Sequence, residues 1–356
     1  MKKFNVGIVG LSRGRGFVSL FEVHPDVSVK AVCDIDEDKL STVGDAFNLP
    51  DKARFTKFDD FINADIDIVM IATPIPFHTE QTIKSLEAGK HVLCEQTVAY
   101  TVEECQMVVD AVKRTGKKYM MAENYCYFHY IREWKKIVEA GKIGEILYAE
   151  GEYIHEIVNL LVDKATGKFY WRHNRPPIWY CAHTLGPLLM LMNDRIVKAC
   201  GLTTGFRSYP EYKDHPGFLD FEVGLFKTEK GSVVKILRSQ VPACPHFVWY
   251  CLYGTNGHLE NKRVKGEGFI YVKGQTPEDG EVFTSSIVDP NAPPEAKKGG
   301  HGTSEYYMIR DFLSSIENNT NPPIDVFRAT EWTIPGIIAH KSAMKDGQWI
   351  DVPILG

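Results

Sequence analysis

The stretch Phe4 to Gly16, FNVGIVGLSRGRG, constrains the fold more than any other in this chain. Val6, Gly7, Ile8 and Val9 read as a buried first strand, and Gly10, Ser12, Gly14 and Gly16 as the turn that follows it. Small residues let backbone N–H groups approach a pyrophosphate, and the helix N-terminus beyond adds partial positive charge. The spacing is G-x-S-x-G-x-G, with Ser12 where the middle glycine of a dinucleotide fingerprint would stand, so the turn alone is also compatible with a tight β-turn. Asp34 is the second observation. It ends the apolar run Val29 to Cys33, roughly 20 residues beyond the turn, where an acid hydrogen-bonds a ribose diol. A carboxylate there repels a 2′-phosphate, so the expectation is NAD rather than NADP. Because Asp36, Glu37 and Asp38 follow it, Asp34 also fits a plain turn residue.

A chain of 356 residues suits two domains of ordinary size. Its net charge of −5 and its lack of a long basic run argue against a nucleic-acid partner and favour small molecules. The longest apolar runs, such as Ile66 to Thr73, fall far short of a membrane span. Met1-Lys2-Lys3 opens like a signal peptide, but Arg13 and Arg15 interrupt the apolar run and no cleavage site follows, so a cytoplasmic protein is expected. The eight cysteines (33, 94, 105, 126, 181, 200, 244 and 251) contain no C-x-x-C pair and read as reduced thiols, mostly core fillers. No His, Asp and Cys grouping has metal spacing, and no metal is expected.

Residues 4 to about 122 alternate strand-like and helix-like pieces, with strands expected at Asn5–Val9, Val29–Cys33, Ile68–Ala72, His91–Cys94 and Tyr119–Ala122. Gly89 reads as the C′ residue of a helix from about Thr79, and Thr101 to Glu104 as a capping box. This succession implies an α/β fold, a Rossmann doubly wound parallel sheet, over 1–122. Ligands of such sheets bind at the carboxyl ends of the strands. There lie Thr73, Pro74 and His78 in one loop and Glu95 in the next. His78 reads either as a cofactor contact or as a packing residue at a helix start.

From 123 to 356 longer strands take over, at Glu145–Ile154, Ile196–Thr204, Phe218–Thr228, Ser232–Arg238, Phe247–Tyr253 and Gly268–Lys273, with a hairpin turn at 254–257. This predicts an α+β domain on an open, largely antiparallel sheet. Residues 274–302 read as a surface loop, followed by helices from Ser304 and from Arg328 to Lys345. Tyr180 and His183 are the notable pair of this half: three apart at a helix start, they share one face and point to a base beside a ligand. A buried aromatic beside a satisfied core histidine is the alternative. Arg172, His173 and Arg175 read as a solvated cluster or as a binding site for a carboxylate, sulfate or phosphate.

The glycine turn, Asp34, A-T-P-x-x-x-H at 72–78 and E-A-G-K-H-V-L-C-E at 87–95 together resemble the Gfo/Idh/MocA family of NAD(P)-dependent sugar oxidoreductases. The family continues this last motif as E-K-P. Here Glu95-Gln96-Thr97 replaces it, and glutamine has no titratable group to assist proton removal. Y-x-x-H-x-L-G-P at 180–187 instead resembles the family's branch of NAD-dependent glycosidases, glycoside hydrolase family 109. Glu123 to Tyr127, Ala149 to His155 and Gly299 to Gly302 look like that branch too. The family aspartate four residues before His183 is replaced by Trp179.

This resemblance implies a carbohydrate substrate and hydride transfer at a sugar hydroxyl carbon, as a step of redox-neutral glycoside cleavage. A plain sugar or polyol dehydrogenase, or an NAD-bound sugar sensor without turnover, are the alternatives. It gives His183 the hydroxyl proton, Tyr127 or Tyr180 the C–H proton, and Glu95 a role beside the cofactor. Gly10, Ser12, Arg13, Gly14, Asp34, Thr73, Pro74, His78 and Asn124 complete the cofactor set. His155, Arg172 and His301, with Tyr180 and His183, form the substrate set. Tyr127, among Tyr125, Phe128 and Tyr130, reads equally as core, and His155 faces either side of its strand. His215, His246, His258 and His340 read as structural. The resemblance also implies a homo-oligomer, dimer or tetramer, through the C-terminal sheet.

Overall fold

In the computed structural model the described residues are 4–242, 245–264 and 266–356, so Cys244 lies outside them. The strands are β1 Phe4–Val9, β2 Val27–Cys33, β3 Arg54–Phe55, β4 Ile68–Ile71, β5 His91–Cys94, β6 Tyr119–Met121, β7 Ile146–Ile154, β8 Ile196–Thr203, β9 Glu222–Thr228, β10 Val233–Ser239, β11 Phe247–Gly254, β12 Gly257–Glu260, β13 Gly268–Val272, β14 Glu281–Phe283 and β15 Ile350–Asp351. The α-helices are α1 Leu11–Glu22, α2 Glu37–Ala46, α3 Phe58–Phe61, α4 His78–Glu87, α5 Val102–Thr115, α6 His129–Glu139, α7 Ala182–Met192, α8 Ser304–Glu317 and α9 Val326–Ala343. The chain divides into two compact units. One runs to Phe128 and takes in Ile287–Thr330 and Leu355–Gly356; the other comprises His129–Ser286 and Glu331–Ile354.

The first unit holds a parallel sheet in the order β3-β2-β1-β4-β5-β6. Every residue of β4 is buried, as expected for a strand covered on both faces. The capping box of α5 forms fully: Thr101 Oγ1 accepts from the Glu104 amide at 3.0 Å, and Glu104 Oε2 from the Thr101 amide at 3.1 Å. Gly116, in the left-handed region at φ 65°, ends that helix. By its contacts, 287–330 packs with the first unit. The reason is α8, whose Met308, Ile309 and Phe312 are fully buried and which packs against α1 and the 124–127 turn.

The second unit holds a sheet in the order β14-β13-β12-β11-β7-β10-β9-β8-β15. β7 and β10 run parallel and the other pairs antiparallel. Two details differ from the sequence reading. Pro216–Phe218 forms a 3-10 turn, so β9 starts at Glu222 instead of Phe218. Within the expected loop 274–302, Glu281–Phe283 pairs with β13. Gly151 on β7 lets α7 come close: a Cβ there would lie 3.1 Å from Thr184 Cβ. That approach sets the first turn of α7, and with it His183, against the sheet. Among the described residues no helix is long and apolar enough to cross a membrane.

Candidate active site

In the first unit the chain leaves β1 through Gly10, at φ 87°, and enters α1 at once. A Cβ on Gly10 would lie 2.6 Å from the carbonyl carbon of Ala72 and from the Thr73 amide nitrogen, so only glycine fits. Ser12, Gly14 and Gly16 lie inside α1 and not in the turn. Gly14 is required by Ile8, 2.8 Å from its would-be Cβ, whereas Gly16 has nothing within 4 Å. The N-cap Gly10 has no side chain to cap α1, so apart from the Leu11 amide its first-turn amides are left to an anion. Asp34 Oδ2 accepts from the Leu11 amide at 2.7 Å and Oδ1 from the Asp36 amide at 3.0 Å. The half-buried carboxylate is thus fixed at the helix start.

Beside this turn, Thr73 Oγ1 donates to Gln81 Oε1 at 2.6 Å and Pro74 is half-buried. His78 is buried, with Nδ1 2.8 Å from the Thr97 carbonyl oxygen and Nε2 2.9 Å from that of Thr73. Burial pushes its pKa down, and the ring ties the two strand-end loops together. Arg13 donates to Glu95 Oε1 at 2.7 Å and to Glu305 Oε1 at 3.0 Å. Glu305 also accepts from His301 Nδ1 at 2.6 Å and from Asn124 Nδ2 at 3.3 Å. Burial alone would raise the Glu305 pKa, but the hydrogen bond and charge of His301 and the charge of Arg13 hold it at about 2. Glu305 carries no motif; as a helix residue far along the chain it gave no sequence signal. Gln96 is buried and neither atom of its side-chain amide has a hydrogen-bond partner. Tyr127 is also buried, and burial together with repulsion from Asp311 pushes its hydroxyl well above the ordinary range.

The second unit gathers the other candidates. His183 meets the Tyr180 ring edge-on at 5.1 Å and the Tyr153 ring at 5.5 Å, and its carbonyl accepts from the Tyr250 hydroxyl. His155 lies 2.8 Å from the Tyr153 hydroxyl through Nδ1 and stacks on His246 at 4.1 Å, so His246 joins the cluster. Burial, then the positive surroundings of His246, Arg238, His183 and Arg175, push the His155 pKa down to about 4. Arg175 lies 4.0 Å over the Tyr180 ring and Arg238 4.0 Å over the Tyr153 ring. Arg172 lies 4.3 Å over Trp171. His173 turns away from this group to His215, 2.9 Å between their Nδ1 atoms. On the β11–β12 hairpin, Cys251, His258 and Glu260 bring three possible ligand atoms within 4.8 Å, a grouping that linear spacing does not reveal. Cys251 Sγ is 3.2 Å from His258 Nε2, and burial pushes the thiol up to about 12, so the contact is that of a protonated thiol with an imidazole.

Residues 4–123 match the oxidoreductase family with an NAD-binding Rossmann fold, and residues 130–355 match the C-terminal domain of glycosyl hydrolase 109. A glycosyl hydrolase family 109 protein of Shewanella baltica (strain OS185) is 30% identical, over 96% of this chain and 83% of that protein. One from Shewanella pealeana is 28% identical, over 99% and 85%. Among solved structures, levoglucosan dehydrogenase in complex with NADH and levoglucosan superposes with a TM-score of 0.83 at 20% identity, covering 98% of this chain and 99% of that one. Scyllo-inositol dehydrogenase from Lactobacillus casei, with NAD(H) and scyllo-inositol, gives 0.78 at 21% identity, covering 98% and 99%. The residues present fit NAD: a glycine-only turn, a helix start with first-turn amides left over, a carboxylate fixed beside it, and at Gln96 a buried side-chain amide without a partner among the described residues.

Proposed function

Because the chain belongs to glycosyl hydrolase family 109, on an NAD-binding domain of the Gfo/Idh/MocA oxidoreductase type, we propose that it cleaves glycosides by a redox-neutral route. The pairing of His183 with Tyr180 carries this reading. When bound, NAD supplies a reversible hydride acceptor, so that a sugar hydroxyl carbon becomes a ketone early and is reduced again at the end. His183 takes the hydroxyl proton. Tyr180 takes the proton from the carbon next to the ketone, which that ketone acidifies, and the electron pair left behind expels the glycosidic group. Water then adds at the carbon the group left and its remaining proton goes to the departed alkoxide; Tyr180 returns its proton to the neighbouring carbon, and His183 returns its proton to the sugar oxygen as the ketone is reduced. Tyr180 suits the second role better than Tyr127, since it lies edge-on to His183 and lines the same cavity as His155, whereas Tyr127 is buried, and burial with repulsion from Asp311 pushes its hydroxyl well above the ordinary range. Gln96 leaves no titratable group after Glu95, and Glu95, held by Arg13, positions the cofactor.

A sugar dehydrogenase is the second reading, favoured by the dehydrogenases among the similar structures. The test mixes protein, NAD and a panel of α- and β-linked nitrophenyl glycosides with the matching free sugars. Nitrophenol release without net NADH, abolished by stripping the cofactor, supports glycoside cleavage. NADH build-up with free sugar and no nitrophenol supports the dehydrogenase instead.

The reading extends to a cytoplasmic homo-oligomer, dimer or tetramer. One face of the second sheet exposes Leu202, Leu225, Val233 and Tyr253 from β8, β9, β10 and β11, and a second copy would cover them. Light scattering of the purified protein reads the state directly, and a monomer at micromolar concentration removes this part of the reading.

A further inference from the structure

A cavity of about 90 Å³ opens in the second unit beside His155 and Tyr180. About 10–15 Å³ of such space holds one water, and pockets that enclose a whole small molecule run to roughly 300–1,000 Å³. This one has room for a substituent of a sugar, not for the ring. Its charged lining is Arg172, Arg175 and Arg238, with the neutral ring of His155 beside them, and no Asp or Glu is among the described residues that line it. Ser239 and Gln240 supply the neutral polar groups.

The cations are built in. Arg175 and Arg238 are each 2% exposed. Gln240 Oε1 accepts from Arg175 Nη2 at 2.6 Å, and Gln240 Nε2 donates to the carbonyls of Arg175 at 3.1 Å and Gly217 at 2.7 Å, so Gln240 fixes that guanidinium from one side. Arg238 is oriented by the Tyr153 ring and by the Pro177 carbonyl, 3.3 Å from Nε. Burial first, and then the neighbouring His246, Arg238, His183 and Arg175, keep the His155 ring neutral. A neutral sugar hydroxyl needs one donor or acceptor; converging planar guanidinium forks match the paired oxygens of an oxyanion.

We propose that this cavity receives the anionic substituent of the substrate, a carboxylate or a sulfate ester, so that the enzyme acts on acidic glycosides. The proposal rests on the reading of the chain as a sugar-acting enzyme. Arg172, half-buried against Trp171, admits substitution with less risk to the fold than the two buried arginines.

The experiment measures binding to the NAD-loaded full-length protein by calorimetry, with methyl glucuronide, glucose 6-sulfate, methyl glucoside and inorganic sulfate titrated in parallel. The expected result is at least tenfold tighter binding of one charged sugar than of methyl glucoside. The preference weakens with added salt and falls at least fivefold in Arg172→Gln, whose melting temperature is checked first. Whether the glucuronide or the sulfate ester gains identifies the group. Equal binding of neutral and charged sugars overturns the proposal and leaves glycoside cleavage standing. Sulfate binding with no gain for either charged sugar also overturns it. If no sugar binds while NAD does, the sugar-acting reading itself falls and takes the proposal with it.

Discussion

Arg13 and Glu305, 292 positions apart in the sequence, meet at 3.0 Å, and through this contact α8 is tied to the start of α1. Glu305 is fully buried, so removing its charge strands part of the Arg13 guanidinium. Glu305→Gln is expected to cost about 3 kcal/mol of stability in chemical unfolding. The pH dependence has a definite sign. The folded-state pKa of about 2 lies below the ordinary 4.5, so this stabilisation is complete above about 4.5 and is lost as pH falls toward 2. The Gln variant should show a flatter stability profile across that acid window.

Gly10 and Gly16 should respond oppositely to alanine. Gly10→Ala forces a side chain into left-handed backbone and against Ala72, costing at least about 2 kcal/mol and weakening NAD at least tenfold. Gly16 lies within α1 with open space around it, so Gly16→Ala should raise stability by up to about 1 kcal/mol. Thermal melts with and without NAD read both.

Asp34→Ala removes the carboxylate held at the Leu11 amide. NAD affinity should fall by about 10–100-fold, the value of one or two hydrogen bonds to a charged group, and the preference over NADP should shrink. Calorimetry with both cofactors checks this; unchanged NAD affinity would remove Asp34 from the ribose site.

His183→Ala and Tyr180→Phe should each lower turnover by roughly 10²–10⁴-fold, the usual contribution of a positioned acid or base. NAD affinity should stay within a few-fold of the parent, since neither side chain belongs to the glycine turn or the Asp34 carboxylate proposed to hold the cofactor. Turnover within a few-fold of the parent in His183→Ala would exclude it as the redox-step base.

His155 should remain neutral well below the ordinary histidine range. Its folded-state pKa of about 4 lies under the ordinary 6.5, so the unfolded chain takes up the proton first. The neutral ring's contribution to stability is complete above about 6.5 and declines as pH falls toward 4. His155→Gln should remove that part of the slope, and an NMR titration of the ring reads the pKa itself.

What the sequence determined by itself is local. The alternation of buried strands with capped helices, the glycine that must turn at Gly10, the acid at the end of β2 and the Tyr180–His183 spacing each depend on neighbours within a few residues or on a repeated period. Glu305 as the hub of Arg13, His301 and Asn124, the placement of 287–330 in the first unit, and the convergence of Arg175, Arg238 and His246 on His155 were decided only by tertiary structure. The physical reason is that, His301–Glu305 apart, these contacts join residues tens to hundreds of positions apart. A buried ion pair or a positive cavity leaves no periodic trace in the chain that forms it. Gly16 shows the converse: part of a glycine pattern in sequence, it became an ordinary helix position once α1 began at Leu11.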